Sequence, residues 1–583
     1  MMRFKGQVAH KFAECPLLQM RLPPWRSLLM ALLILGSFGV LIGRAFYLQT
    51  LNTDFLQEKG ESRYRRDIEI SASRGRIADR HGDVLAISTP MKSIWAIPPA
   101  TTLTPVQARQ LAALLETDVK QLTQKLNTDK TFVFLRRQIP PAVADQVAAL
   151  KLPGIGQDKE YRRFYPTGEM TAHMVGFTGV DDKGLEGVEL AFHRQLLGQP
   201  GSRSVIKDRR GQIVEDVGSI KPPQDGKEIR LALDSKIQYL AYSHLKQAIA
   251  DNNAKAGGVV VLDVRTGEIL ALANWPTYNP NNREGLSGSQ LRNRAVTDTF
   301  EPGSTLKPFT IALGIEAGKV RSDTIINCAP GRLTIGNATI SDAHPHGALS
   351  VAEVIQKSSN VGAAKIAAML PPQKMWQMFD DVGFGQVPRL GFPGEVSGRV
   401  RPWKNWRPIE QATMAYGHGI SVSLIQLARA YTAFARDGDV LPLSLTQVES
   451  STPSGVSVFS PKTAREVRSM LEMAVLPGGT APKAQIPGYR VAGKTGTAHK
   501  LVGGRYANKY VSSFVGLAPA SDPRLIVAVM IDEPSAGKHY GGDVAAPVFA
   551  TVMGSSLRTL GITPDVPLVV AQSPKAPTPK ARL

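Results

Sequence analysis

Three short segments of this 583-residue chain hold residue types that perform acyl transfer when they are brought together. In Glu301-Pro302-Gly303-Ser304-Thr305-Leu306-Lys307 the serine and the lysine stand three positions apart, which on a helix puts both side chains on one face. Pro302 and Gly303 suit the tight turn that leads into a helix. A neutral amine one turn behind a serine can take its hydroxyl proton, and backbone N–H groups at the helix start can hold an oxyanion. Alone, the same residues also describe an ordinary helix cap.

The second segment is Lys357-Ser358-Ser359-Asn360, followed by Val361-Gly362. The Ser358 hydroxyl can relay a proton between lysines, and the Asn360 amide can bind a substrate carbonyl and a lysine at once. The third is Gly493-Lys494-Thr495-Gly496-Thr497. On an edge strand it supplies a cation, two hydroxyls for a substrate carboxylate and a free N–H, while Gly496 lets a substrate backbone approach closely. Each has a plain alternative, a polar turn for one and a β-turn with an exposed lysine for the other. Their joint occurrence in this order within one domain-sized region is what points to a nucleophilic serine.

The elements that must position these residues are legible in outline. Glu228 to Asp234 alternates like a strand, and Ile237 to Ile249 is patterned as an amphipathic helix. Gly257 to Asp263 and Glu268 to Ala273 bracket a turn at Val264-Arg265-Thr266-Gly267, and Ser512 to Ala518 pairs with Leu525 to Ile531 around Ser521-Asp522-Pro523. Strands at both ends with helices between predict an α+β domain whose sheet is assembled from its two ends. Upstream, helical patches run from Pro105 to Leu126 and from Pro141 to Leu150, and Pro222 to Gly226 is the best linker candidate.

The length exceeds the roughly 250 to 300 residues at which one core stops growing, so two or more domains are expected. With 43% hydrophobic and 20% charged residues the composition is globular. The net charge of +20 fits work near anionic lipid or an anionic cell-wall polymer, and no zinc-finger spacing or basic-aromatic RNA motif points to nucleic acid. Two cysteines, Cys15 and Cys328, exclude a disulfide framework. His344-Pro345-His346 reads as a loop rather than a metal-ligand pair.

From Ser27 to Gly43 there is no charge, and apolar character continues past Arg44 to Leu48. At about 1.5 Å per residue such a helix reaches roughly 30 Å, one hydrocarbon thickness. Arg3, Lys5, Lys11, Arg21 and Arg26 precede it against Glu14 alone, so the positive-inside rule predicts a cytoplasmic N-terminus and an exported remainder. The run is long for a cleaved signal peptide and lacks its cleavage pattern, so an uncleaved signal anchor is expected.

With these motifs the sequence resembles the penicillin-binding protein and serine β-lactamase superfamily. Arg74 to Arg80, Arg163-Phe164-Tyr165-Pro166, Ala172 to Phe177 and Gly184 to Glu189 resemble the non-catalytic pedestal of class B penicillin-binding proteins. Tyr278 to Asn281, Arg292 to Asp298, Tyr540-Gly541-Gly542 and Ala546 to Phe549 resemble the division-specific, FtsI-type class. The resemblance implies a penicillin-binding, serine β-lactamase-like transpeptidase fold, an antiparallel sheet flanked by helices, on an elongated pedestal. It divides the chain into a cytoplasmic N-terminus (1–26), a transmembrane signal anchor (27–48), a dimerisation or pedestal domain (49–225), a transpeptidase domain (226–563) and a disordered tail (564–583).

It further implies a peptidoglycan D,D-transpeptidase, the target of β-lactams, that acts without a metal or cofactor at the inner membrane of the division septum. Ser304 would be acylated by the penultimate D-Ala of a stem peptide and Lys307 would deprotonate it. Ser358 would pass a proton to the leaving group and Asn360 would hold the donor. Lys494, Thr495, Gly496 and Thr497 would bind the terminal carboxylate, with oxyanion donors at the N–H groups of Ser304 and Thr497. An FtsW-type glycan polymerase and other septal membrane proteins are the implied partners. Three alternatives are a β-lactamase, which lacks an assignable base for deacylation, a bifunctional polymerase, which would need a glycosyltransferase domain, and a silent scaffold.

Overall fold

A computed structural model describes residues 23–51, 65–207, 213–216, 221–448 and 454–567. Cys15, the basic residues Arg3, Lys5, Lys11 and Arg21, and all but the first few residues of the expected tail lie outside them. The chain divides into two compact units, Met1–Ile70 with Pro200–Pro223, and Ser71–Gln199 with Gln224–Leu583.

The first unit contains helix α1, Pro24–Phe46, continued by one π-helical turn over Tyr47–Leu51. Its apolar stretch, Pro24–Thr50, has a mean hydropathy of 2.1 and buries none of its residues in the protein. This is the length and composition of a bilayer-spanning helix, and Arg44 lies in its last turn with its guanidinium over the Tyr47 ring. The same unit holds a three-stranded antiparallel sheet, Arg65–Ile70, Gly201–Lys207 and Ile213–Asp216.

The second unit is organised on a five-stranded antiparallel sheet. After helix α2 (Ser235–Asp251), capped by the Asp234 carboxylate on the N–H groups of Lys236 and Ile237, come strands β1 (Ala256–Asp263) and β2 (Ile269–Trp275). Helices α3 (Lys307–Glu316), α4 (Val351–Lys357) and α5 (Asn360–Ala368) follow. Strands β3 (Ala492–Val502), β4 (Arg505–Ala518) and β5 (Leu525–Asp532) and helix α6 (Ala546–Thr559) complete it. The spatial order is β2-β1-β5-β4-β3, so the two ends of the domain meet where Val259 pairs with Val529.

Side chains alternate across a strand, and here both faces are apolar. Val259, Val261, Val527 and Val529 join Ile237, Leu245, Phe549 and Val552 of α2 and α6 in one core. Val260, Leu262, Ile526 and Ala528 face the other way, into the core built on Phe309, Val354, Ile366 and Leu427. The continuous apolar runs in the sequence are therefore strands buried on both sides.

Local expectations were refined in several places. Of the segment 228–234, Ile229–Arg230 pairs as a strand parallel to Ile77–Ala78, Leu231 forms an isolated bridge with Thr446, and Asp234 caps α2. The patch at 105–126 is two helices, Pro105–Leu114 and Val119–Leu126, separated where Glu116 takes a positive φ and Asp118 caps the second. The proposed linker is closely packed at its end: Gly226 donates to the Ser73 carbonyl, and a β-carbon there would fall 1.7 Å from the Leu196 oxygen. Strand β4 begins at Arg505, seven residues before the apolar run, because Gly503 and Gly504 both take positive φ in a two-residue hairpin.

Three of the upstream sequence segments converge on one buried ion cluster. Glu189 accepts from Arg74 Nε and from Arg163 Nε, each at 2.6 Å, with all three side chains essentially inaccessible to solvent. Arg163 also donates to the Gly75 carbonyl at 2.7 Å.

Candidate active site

Ser304 occupies a 3-10 turn, Gly303–Leu306, which runs directly into α3 beginning at Lys307. The sequence placed both residues at a helix start, and the tighter turn leaves Ser304 half-buried while Lys307 is fully buried. Gly303 takes a φ of +58° and donates to the Gly417 carbonyl, so the segment around Tyr416–Gly419 lies against the turn.

The Ser358–Asn360 segment forms the junction between α4 and α5. Ser358 closes α4 in the left-handed region, at φ 62° and ψ 40°, and Ser359 caps α5 through the Gly362 N–H. A residue that sequence reasoning did not single out, Asp342, fixes this junction. Its carboxylate accepts from the N–H groups of Asn360 and Val361, at 2.5 and 3.0 Å, and from the Ser359 hydroxyl at 2.8 Å. Asn360 Nδ2 donates to the Ser341 carbonyl at 2.8 Å.

Lys307 reaches this junction. Its Nζ donates to the Ser358 carbonyl and, at 3.1 Å, to the Ser358 hydroxyl. Burial pushes the Lys307 pKa well below the usual ammonium value, and the charge of Lys494 pushes it the same way, while Asp342 opposes both. The shift favours the neutral amine, the form able to accept a proton.

The third segment lies on β3, the edge strand, and not in the alternative β-turn. Lys494 is fully buried, and burial lowers its pKa to about 7. Its Nζ donates to Thr495 Oγ1 at 3.2 Å, and Thr495 Oγ1 in turn donates to Thr480 Oγ1 at 3.1 Å. Thr497 Oγ1 accepts from the Gly541 N–H at 3.0 Å, which leaves its own proton for a ligand. Gly496 is required by close approach: a β-carbon there would lie 2.8 Å from the Pro302 carbonyl oxygen and 2.3 Å from Ser513 Oγ.

Ser304, Ser358, Asn360, Thr495 and Thr497 line a single cavity of about 860 Å³, and Lys307 and Lys494 are buried beneath them. All eight residues singled out in the sequence therefore belong to one locality. His344 and His346 lie on a loop at the cavity margin, and among the described residues no three His, Cys, Asp or Glu side chains are grouped to hold a metal ion. The far wall is aromatic, with Tyr510 stacked on His539 at 4.0 Å and His539 beside Tyr540 at 4.5 Å. Only Tyr540 of these carried a sequence signal. The cleft brings together two serine hydroxyls, two buried lysine amines of lowered pKa and the hydroxyls of Thr495 and Thr497, groups able to serve acyl transfer.

Comparison with known proteins agrees with this chemistry. The penicillin binding protein transpeptidase domain matches residues 257–554, and the penicillin-binding protein dimerisation domain matches residues 69–231. The chain is 47% identical to a probable peptidoglycan D,D-transpeptidase, PenA, of Neisseria gonorrhoeae, over 93% of this chain and 94% of that one. It is 43% identical to the peptidoglycan D,D-transpeptidase FtsI of Escherichia coli K12, over 93% of each chain. The apo TP domain of penicillin-binding protein 3 from Burkholderia pseudomallei superposes with a TM-score of 0.54 at 51% identity, covering 58% of this chain and 98% of that domain. On its motifs, its fold and these relatives, the chain belongs to the penicillin-binding protein transpeptidase family.

Proposed function

We propose that the chain is a membrane-anchored peptidoglycan D,D-transpeptidase whose covalent nucleophile is Ser304. The observation that carries this reading is the buried Lys307 amine, desolvated toward its neutral form and 3.1 Å from Ser358 Oγ, under the cavity that Ser304 lines. In acylation, Ser304 Oγ attacks the carbonyl carbon of the penultimate D-Ala and Lys307 Nζ takes the hydroxyl proton. The tetrahedral oxyanion is held by the N–H groups of Ser304 and Thr497.

Collapse breaks the D-Ala-D-Ala amide, and the departing nitrogen is protonated through Ser358, releasing free D-Ala. Lys494 as a cation, with Thr495 and Thr497 as hydroxyl donors, holds the terminal carboxylate at the edge strand, and Asn360 holds the donor peptide. A side-chain amine of a neighbouring stem peptide then attacks the ester carbonyl. An amide cross-link forms, the amine proton returns through the lysine–serine relay, and Ser304 is regenerated. A β-lactam is attacked in the same way but leaves no departing group, so its adduct persists.

The charge pattern before α1 supports a cytoplasmic N-terminus with residues 226–563 as a periplasmic transpeptidase domain and 49–225 as a pedestal. The resemblance to FtsI-type proteins supports action at the division septum beside an FtsW-type polymerase. The test is reconstitution in vesicles with such a polymerase and its lipid-linked precursor. Cross-linked dimers and free D-Ala are expected with the native chain and neither with Ser304→Ala; uncross-linked glycan from both would refute the reading. A fluorescent fusion is expected at midcell rather than along the side wall.

A further inference from the structure

Three residues before Ser304, the Glu301 carboxylate gathers groups from two distant segments. Oε1 accepts from the Gly419 N–H at 2.8 Å and from the Tyr506 hydroxyl at 3.0 Å. Oε2, otherwise unpartnered, lies 3.3 Å from His418 Nδ1. His418 stacks on the Tyr506 ring, with centroids 4.7 Å apart. Glu301 thus joins three pieces: the turn that carries Ser304, the 416–419 segment that lies against that turn, and the β3–β4 hairpin, where Tyr506 pairs with Leu501.

The hairpin is the same element that presents Lys494, Thr495 and Thr497. Near Gly496 it runs against the nucleophile turn with no room for a β-carbon, and the Tyr506 hydroxyl on Glu301 is a second point at which the hairpin meets the segment that carries Ser304. We propose that Glu301 is a positioning residue for acylation, holding the Ser304 turn in register with the edge strand that binds the substrate carboxylate. This inference rests on the transpeptidase reading. Burial would raise the Glu301 pKa, but the contacts from His418, Gly419 and Tyr506 outweigh it and hold the carboxyl below its usual range, so it serves as an ionised acceptor at neutral pH.

The test is rapid-mixing acylation of the full-length, detergent-solubilised chain by a fluorescent penicillin, which separates the non-covalent dissociation constant from the acylation rate constant. Displacement of a reacting group by about 1 Å costs up to about a hundredfold in rate, so Glu301→Ala is expected to lower the acylation rate constant at least about tenfold with the dissociation constant little changed. Glu301→Gln keeps an oxygen for Gly419 and Tyr506 and is expected to recover most of that rate. Tyr506→Phe, at an exposed position that leaves folding intact, is expected to lower the rate about threefold alone and to add nothing to Glu301→Ala, as residues acting through one contact do. A wild-type acylation rate in Glu301→Ala or in Tyr506→Phe overturns the inference. So does a loss in Glu301→Ala that Gln does not rescue and that follows a fall in melting temperature. Absence of acylation in the native chain would instead overturn the transpeptidase reading itself.

Discussion

Lys307 Nζ donates to Ser358 Oγ at 3.1 Å across 51 positions of sequence, and Ser358 lines the same cavity as Ser304. A second buried lysine, Lys494, lies close enough that its charge depresses the Lys307 pKa. Burial and the neighbouring charge both favour the neutral amine at Lys307, and the proposed function needs Lys494 as the cation.

The rate of acylation should therefore depend on pH with two limbs. It rises as Lys307 loses its proton and falls above about 7 as Lys494 loses its own, the apparent values belonging to the coupled pair. In Lys494→Arg the guanidinium stays charged throughout, so whatever activity remains should lack the alkaline limb. Initial rates of penicillin labelling between pH 5 and 9 check this, and an unaltered alkaline limb in the variant would contradict the assignment.

The same burial has a thermodynamic consequence. A lysine whose folded-state pKa is depressed binds fewer protons folded than unfolded, so stability rises with pH, for Lys494 between about 7 and the ordinary value of 10.5. Below that window both states hold the proton and the desolvation penalty is felt in full. Lys494→Met should be more stable than the native chain at pH 6 to 7, with the advantage shrinking toward pH 10. Denaturant midpoints across that range measure it.

Asp342 holds the Ser358–Asn360 junction by three hydrogen bonds to one carboxylate. Asp342→Ala should cost about 2 kcal/mol of stability, the scale of lost bonds to a charged group. It should also slow acylation, because the junction that places Ser358 against Lys307 is no longer fixed. Thermal unfolding and labelling rate together report the two effects.

Removing the carboxylate of Glu189 leaves Arg74 and Arg163 as uncompensated buried charges. Breaking such a cluster typically costs about 3–5 kcal/mol, so Glu189→Ala should fall sharply in melting temperature and yield. The fraction that remains folded should label with penicillin at the native rate, since no group of the cluster lines the Ser304 cavity.

What could be read from the sequence follows the range of the interactions concerned. The helix at Ile237 to Ile249 and the strands at both ends of the domain are local patterns, whereas the motif around Lys494 fits an edge strand or a β-turn and only the sheet order decides between them. The left-handed Ser358 is invisible in its motif because the conformation is imposed by α4 and α5 meeting there. Asp342 lies 18 positions from the N–H it caps. Glu301 finds partners 118 and 205 positions away, and no spacing rule reaches that far. Turn chemistry makes Pro222 to Gly226 a linker candidate, whereas the missing side chain of Gly226 serves close contact with the Leu196 carbonyl.

The central claim, that Ser304 is the covalent nucleophile, is tested most directly by intact-protein mass spectrometry after incubation with benzylpenicillin, followed by peptide mapping. The account predicts one stable adduct equal to the mass of the whole antibiotic, on the peptide containing Ser304, and none in Ser304→Ala of unchanged melting temperature. An adduct that persists in Ser304→Ala, or hydrolysis of the drug without any adduct on the native chain, would contradict it.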